Sequence, residues 1–187
     1  MNYVSKIDDL VKIHCMLVSV SDKSNLEQFI PALVKINPRI RIFSTGGTYQ
    51  AIEQILGSDA GKNLTQVAEY TGQPEMQGGL VKTLDFKIYL GLLSETYNPH
   101  HKQDLDRADA VPIDLVVVNL YPFEQTVQKP DVTPEKARAN IDIGGPCMIR
   151  AAAKNFHRVA VVTDPDDYAK VLQEIQVHDG CSSLESR

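Results

Sequence analysis

The chain has 187 residues, of which 43% are hydrophobic and 23% charged, with a formal net charge of -5. At about 100 to 200 residues per domain this is one domain with room for a core, and the composition excludes a disordered segment or a coiled coil. With 19 Lys plus Arg against 24 Asp plus Glu and no basic block, counterion release onto DNA or RNA has no footing, and no nucleic-acid partner is expected.

The opening MNYVSKIDDLVK lacks the pattern of a signal peptide. The longest uncharged apolar stretch, Leu115–Phe123, is far short of the roughly 18 to 20 residues of a membrane helix, so no membrane partner and a cytoplasmic location are expected. The first strand is Cys15–Val20, stopped by Ser21-Asp22-Lys23-Ser24, after which Leu26, Phe29, Ile30 and Leu33 share one face of a helix. The pattern repeats with a strand over Ile40–Phe43, a turn at Ser44-Thr45-Gly46-Gly47-Thr48 and a helix over Tyr49–Leu56 closed by Gly57. Leu64–Val67 makes a weaker third strand. Between Glu69 and Arg107 the periodicity is poor, with Gly72, Gly78 and Gly79 and a helix or strand near Lys87–Leu93.

The clearest strand is Asp114–Leu120, a β-branched run suited to a parallel strand covered on both faces. Thr133 caps a helix that carries Pro134 at its first position and runs to Asn140. Ile141-Asp142-Ile143-Gly144-Gly145-Pro146 leads into another helix through Lys154, Arg158–Val162 is the next strand, and Asp164-Pro165 opens a last helix to Gln176. The core is therefore expected over residues 15–176 of a single domain, with residues 177–187 starting a linker or tail. Strands alternating with helices define an α/β fold, a doubly wound and mostly parallel sheet with helices on both faces, whose ligands sit beyond the carboxyl ends of the strands.

Three strand-to-helix turns lie at that edge: Ser21-Asp22-Lys23-Ser24, Thr45-Gly46-Gly47-Thr48 and Asp142-Ile143-Gly144-Gly145. Free backbone N–H groups, hydroxyls, a Lys and glycines that admit a close ligand together resemble a phosphate-binding rim. Neither GxGxxG nor GxxxxGK[ST] is present, so a monophosphate suits the rim better than a dinucleotide. Reactive residues beside these turns are Lys82, Asn119, Tyr121, Asp142 and Lys154; Tyr121 and Phe123 flanking Pro122 also read as core packing, and Asp142 as a helix cap. Cys15, Cys147 and Cys181 lack CxxC spacing, and the 5 histidines lack HxxxH or HExxH, so no metal is expected.

The strings SVSDKSNL at 19–26, STGGT at 44–48, YTGQPEMQGGLVKTL at 70–84, VVNLYPFEQTV at 117–127, NIDIGGPCMIRAAAKNFHRVAVV at 140–162 and DPDDY at 164–168 resemble the inosinate cyclohydrolase domain of the bifunctional purine-biosynthesis enzyme. The resemblance implies a methylglyoxal-synthase-like fold, a homodimer and no cofactor. It implies ring closure of 5-formamidoimidazole-4-carboxamide ribotide to inosinate, a purine ribonucleotide monophosphate, with loss of water. By matched position Lys154, Lys82, Tyr121 and Asp142 are the catalytic set. Ser21, Asp22, Lys23, Thr45, Gly46, Gly47, Thr48, Lys82, Thr83, Asn119, Asp142, Ile143, Gly144 and Gly145 fall on the substrate-binding stretches.

Two departures stand out: Leu80 replaces an Arg of the family pattern, and Asp85-Phe86 replaces a His-Pro pair. Losing a cation and gaining a carboxylate beside a phosphate weakens binding, so the competing reading is a catalytically weakened nucleotide- or phosphate-binding relative. Methylglyoxal synthase shares this fold and a TGGT-type turn but lacks NLYPF and IDIGG…AAAKN, and the nucleotide-binding regulatory domain of carbamoyl phosphate synthetases has the same fold and is the non-enzymatic alternative. The closing DGCSSLESR resembles the stretch leading into a transformylase domain, and no transformylase activity is expected of these residues.

Overall fold

The computed structural model of the chain describes residues 3–74 and 82–187. In chain order these residues form β1 (Leu10–Lys12), β2 (Cys15–Val20), α1 (Leu26–Ile36), β3 (Arg41–Ser44), α2 (Gly46–Leu56), α3 (Ala60–Asn63), β4 (Leu64–Gln66) and α4 (Val67–Thr71). After the gap follow α5 (Phe86–Leu93), α6 (Pro99–Arg107), β5 (Leu115–Asn119), α7 (Phe123–Val127), α8 (Pro134–Ala139), α9 (Gly144–Lys154), β6 (Ala160–Val162), α10 (Tyr168–Val177) and β7 (Cys181–Ser183).

Five strands make one parallel sheet in the order β4-β3-β2-β5-β6. The uninterrupted apolar runs CMLV of β2 and LVVV of β5 are buried throughout, as central strands covered on both faces must be. On one face Phe29, Leu33, Ile52, Tyr168 and Ile175 of α1, α2 and α10 pack on Met16, Val18 and Val117. On the other, Ile88, Leu92, Met148 and Ala152 of α5 and α9 pack on Leu17, Val116 and Val118. The sheet is doubly wound, as expected. Each fully buried Phe, Leu or Ile contributes roughly 1.5 to 3 kcal/mol, so the β2–β5 pair and its two helical layers hold the fold.

Chain order runs outward from β2 through β3 to β4, then returns to β5 and β6 on its other side, so the switch point lies between the carboxyl ends of β2 and β5. A crevice opens where connections diverge to opposite faces.

Residues 177–187 are not a free tail. β7 pairs antiparallel with β1, the Leu184 N–H donates to Asp9 O at 2.7 Å, and the Arg187 guanidinium donates to Ser182 O and Asp8 O at 2.7 Å each. Strands of three residues are too short to show an alternation, which is why the sequence does not reveal either one. No helix among the described residues is long and apolar enough to cross a membrane.

Gly91 of α5 lies against β5's approach: a Cβ built there would sit 2.5 Å from Val111 O and 3.1 Å from the Ile113 side chain. Backbone cannot yield as a side chain can, so overpacking outweighs the helix propensity gained. Gly91→Ala is expected to destabilise the fold by about 1 to 2 kcal/mol in urea denaturation, and a variant as stable as the parent would contradict this packing.

Candidate active site

The switch point is pinned by Asn119, the last residue of β5. Its Oδ1 accepts the N–H groups of Ser21 at 2.7 Å and Asp22 at 2.8 Å, and its Nδ2 donates to Asp22 O at 2.9 Å. Asn119 thus fixes the loop after β2. Within that loop the Asp22 carboxylate accepts the Ser24 hydroxyl at 2.6 Å and the Ser24 N–H at 2.9 Å, bonds that hold its pKa below the ordinary value.

The loop presents Lys23 to the start of α2: an ideal Cβ on Gly47 would lie 3.9 Å from Lys23 Nζ. Lys82 approaches from the other side, its Nζ 3.3 Å from where a Gly46 Cβ would be. Gly46 also takes φ +51°, which strains any other residue. Thr45 is the extended N-cap of α2 and makes no side-chain capping bond, so two ammonium groups flank the uncapped first turn of an 11-residue helix. Backbone N–H donors, the positive end of the helix dipole and two cations together make this helix start chemically suited to an anion.

Thr48 contributes differently. It is 5% exposed, and its hydroxyl accepts the Val20 N–H at 3.1 Å and donates to Val20 O at 2.9 Å. Its hydroxyl ties α2 to β2 instead of facing the rim.

The third turn joins the same edge. Asp142 Oδ1 accepts the Gly145 N–H at 2.8 Å, capping the first turn of α9. Thr83 is buried with its Oγ1 2.5 Å from a Cβ built on Gly144, while one built on Gly145 would lie 2.4 Å from Leu120 Cδ2 and 2.9 Å from Asp142 Oδ2. Both glycines therefore admit neighbours that a side chain would displace. Leu84, Leu120, Tyr121, Phe123, Ile141 and Ile143 all stand exposed around this point, Tyr121 at 52%. Tyr121 and Phe123 are not core residues: β5 ends at Asn119, and both side chains stand exposed in the segment that follows it.

Ser21, Asp22, Lys23, Thr45, Gly46, Gly47, Lys82, Thr83, Asn119, Tyr121, Asp142, Ile143, Gly144 and Gly145 thus gather at one edge of the sheet. Lys154 does not join them. It is the exposed last residue of α9, which places its backbone about 15 Å along the axis from Gly144 at 1.5 Å per residue.

Leu80 lies outside the described residues. Asp85 is the N-cap of α5, its carboxylate accepting the Lys87 N–H at 2.8 Å, and Phe86 is the first helical residue at 72% exposure. The residues 87–93 are helical, with the apolar stripe of Ile88 and Leu92 facing α9 and β5. Sequence reasoning missed Leu120, whose contact with Gly145 only the fold reveals. Among the described residues no group of His, Cys, Asp and Glu could hold a metal ion.

A parallel five-stranded α/β sheet with a phosphate-type rim at its switch point fits the family-model match: residues 25–147 match the MGS-like domain, and the chain belongs to that family. Residues 152–187 match the AICARFT/IMPCHase bienzyme. More particularly, the chain is 48% identical over 177 residues to the bifunctional purine biosynthesis protein PurH of Leptospira biflexa, covering 95% of this chain and 33% of that protein. It is 47% identical over 171 residues to PurH of Magnetococcus marinus, covering 91% of this chain and 31% of that one. The chain spans about a third of the length of these curated relatives. Among solved structures ForH superposes with a TM-score of 0.74 at 33% identity, over 89% of this chain and 80% of that one.

Proposed function

We propose that the chain is an IMP cyclohydrolase, closing 5-formamidoimidazole-4-carboxamide ribotide to inosine monophosphate in the last step of de novo purine biosynthesis. The observation that carries this reading is the pair of ammonium groups, Lys23 and Lys82, set against Gly47 and Gly46 at the uncapped start of α2. It suits the phosphate of a ribonucleotide. The likeness to PurH and to the bienzyme model supports the substrate and the reaction.

Ring closure asks for little beyond positioning and proton traffic. The carboxamide nitrogen bonds to the formyl carbon, charge gathers on the formyl oxygen, and that oxygen leaves as water, its two protons balanced by one given up by the carboxamide nitrogen and one by the formamide nitrogen. No electron is exchanged and no group is carried, so the chemistry calls for no cofactor. Lys82, Tyr121 and Asp142 line the rim and are assigned to substrate orientation and oxyanion stabilisation. Lys154 is assigned to the base end of the ribotide. That assignment is supported by the matched position of Lys154 in RAAAKN; in the structure Lys154 stands exposed at the far end of α9 from the glycine turn.

Asp85 supports full activity, since its carboxylate is engaged with the Lys87 N–H as a helix cap and serves α5 itself. The exposed apolar side chains around the rim support the homodimer implied by the resemblance, and the bienzyme match supports a transformylase domain following in a longer cytoplasmic protein.

Calorimetric titration with inosinate tests the phosphate cradle. Lys23→Ala is expected to weaken binding by about tenfold or more, as for loss of a bond to a charged group. Unchanged affinity would place the phosphate elsewhere.

A further inference from the structure

The string that carries Lys154 continues through Asn155 and Arg158, and both side chains are buried at 5% exposure. They lie at the amino edge of the sheet and close over the end of α5. Asn155 Nδ2 donates to Leu92 O at 2.8 Å and to Ser94 O at 3.0 Å. Arg158 Nε donates to Ser94 O at 3.0 Å and Nη2 to Gly91 O at 2.5 Å. Gly91 and Leu92 lie in the last turn of α5 and Ser94 is its C-cap, where carbonyls lack intrahelical partners; Gly91 O also accepts the Ile113 N–H at 3.0 Å. The two residues that take them up come from the turn between α9 and β6, so the ends of α5 and α9 are fastened together. Arg158 Nη1 then bonds Asp114 Oδ1 at 2.8 Å, which anchors the same point to the start of β5.

α5 is 8 residues long, about 12 Å at 1.5 Å per residue. Its other end emerges from Lys82 and Thr83, and Thr83 packs against Gly144 at the start of α9. A short helix fixed at its last turn can neither slide nor rotate, so the residues before its first turn inherit its position.

We infer that Asn155 and Arg158 are positioning residues, which set the placement of Lys82 and Thr83 at the rim through the rigid length of α5. The inference rests on the nucleotide-binding reading of the rim. It also gives the RAAAKN-x-x-R string a second job: Lys154 serves the chemistry, and its neighbours hold α5.

Asn155→Ala removes two bonds without stranding a charge, and Asn155→Ser is the milder variant should the first fail to fold. In amide spectra of the unliganded protein, recorded well below the melting midpoint, the resonances of Thr83 and Gly144 are expected to shift although the substitution lies at the opposite edge. With inosinate the affinity is expected to fall about fivefold to tenfold in the parent background and to stay unchanged when added to Lys82→Ala. A merely structural loss would act in both backgrounds. Unmoved Thr83 and Gly144 resonances would overturn the inference, as would an Asn155→Ala effect that persists undiminished in Lys82→Ala. Failure of the parent protein to bind inosinate would instead strike the nucleotide reading, and the amide shifts would still decide this one.

Discussion

Lys154→Ala is expected to lower kcat for ring closure by about 100- to 10,000-fold, the range of a lost general acid or base, while inosinate affinity changes less than about threefold. The division follows from where the residues stand. Lys154 sits at the far end of α9, about 15 Å along its axis from Gly144, whereas the proposed phosphate site is at the start of α2. Lys23→Ala gives the opposite division, since Lys23 faces Gly47 and the start of α2. Its loss raises KM more than it lowers kcat. Steady-state kinetics on both variants, with inosinate titrations beside them, measure the split. If Lys154→Ala weakened binding as much as it slowed turnover, the assignment of that lysine to the reacting ring would fail.

Asp114→Ala is expected to destabilise the protein by about 3 to 5 kcal/mol in urea denaturation, the usual effect of stranding one member of a buried ion pair. That is a large part of the 5 to 15 kcal/mol or so that holds a domain of this size. Asp114 Oδ1 takes the Arg158 guanidinium at 2.8 Å, and Oδ2 accepts the N–H groups of His14 at 2.9 Å and Cys15 at 3.0 Å at the start of β2. The alanine variant leaves a buried guanidinium without its counter-charge and the part-buried His14 and buried Cys15 amides without an acceptor. Burial pushes the Asp114 carboxyl up and the Arg158 guanidinium down, each working against the charged form. The pair is thus a modest source of net stability and a costly one to break. Asp114→Leu combined with Arg158→Met is therefore expected to be less destabilised than Asp114→Ala alone, and a larger loss in the double variant would contradict this reading.

The central layers were legible from their chemistry. CMLVSV and LVVVN are apolar runs of strand length, and Thr133-Pro134 announces α8, where the Thr133 hydroxyl accepts the Lys136 N–H at 3.2 Å. Glycines obscured other boundaries: α2 begins at Gly46, whereas Gly46-Gly47 reads as a turn with the helix starting at Tyr49. α6 was invisible because PHHKQDLDR buries only Leu105 and shows no apolar stripe, although Asn98 before Pro99 was a usable cap signal, accepting the His100 N–H at 3.0 Å. In the rim, residue types were readable and roles were not. Thr48 and Asn119 look like ligand-binding polar side chains in sequence, yet their hydrogen bonds hold Val20 and the Ser21–Asp22 loop. Tyr121 and Phe123 look like core and stand at the surface, because only the fold shows that β5 ends at the edge where they emerge. Asn155 and Arg158 carried no signal, since the carbonyls they bind lie more than 60 positions away.

The most direct test is turnover of 5-formamidoimidazole-4-carboxamide ribotide by the purified 187-residue chain, followed by the absorbance of inosinate. Saturable closure well above the uncatalysed rate, abolished by Lys154→Ala and weakened in KM by Lys23→Ala, is the expected result. Tight inosinate binding with no closure above the uncatalysed rate would contradict it, leaving a nucleotide-binding domain whose rim holds the product without performing the reaction.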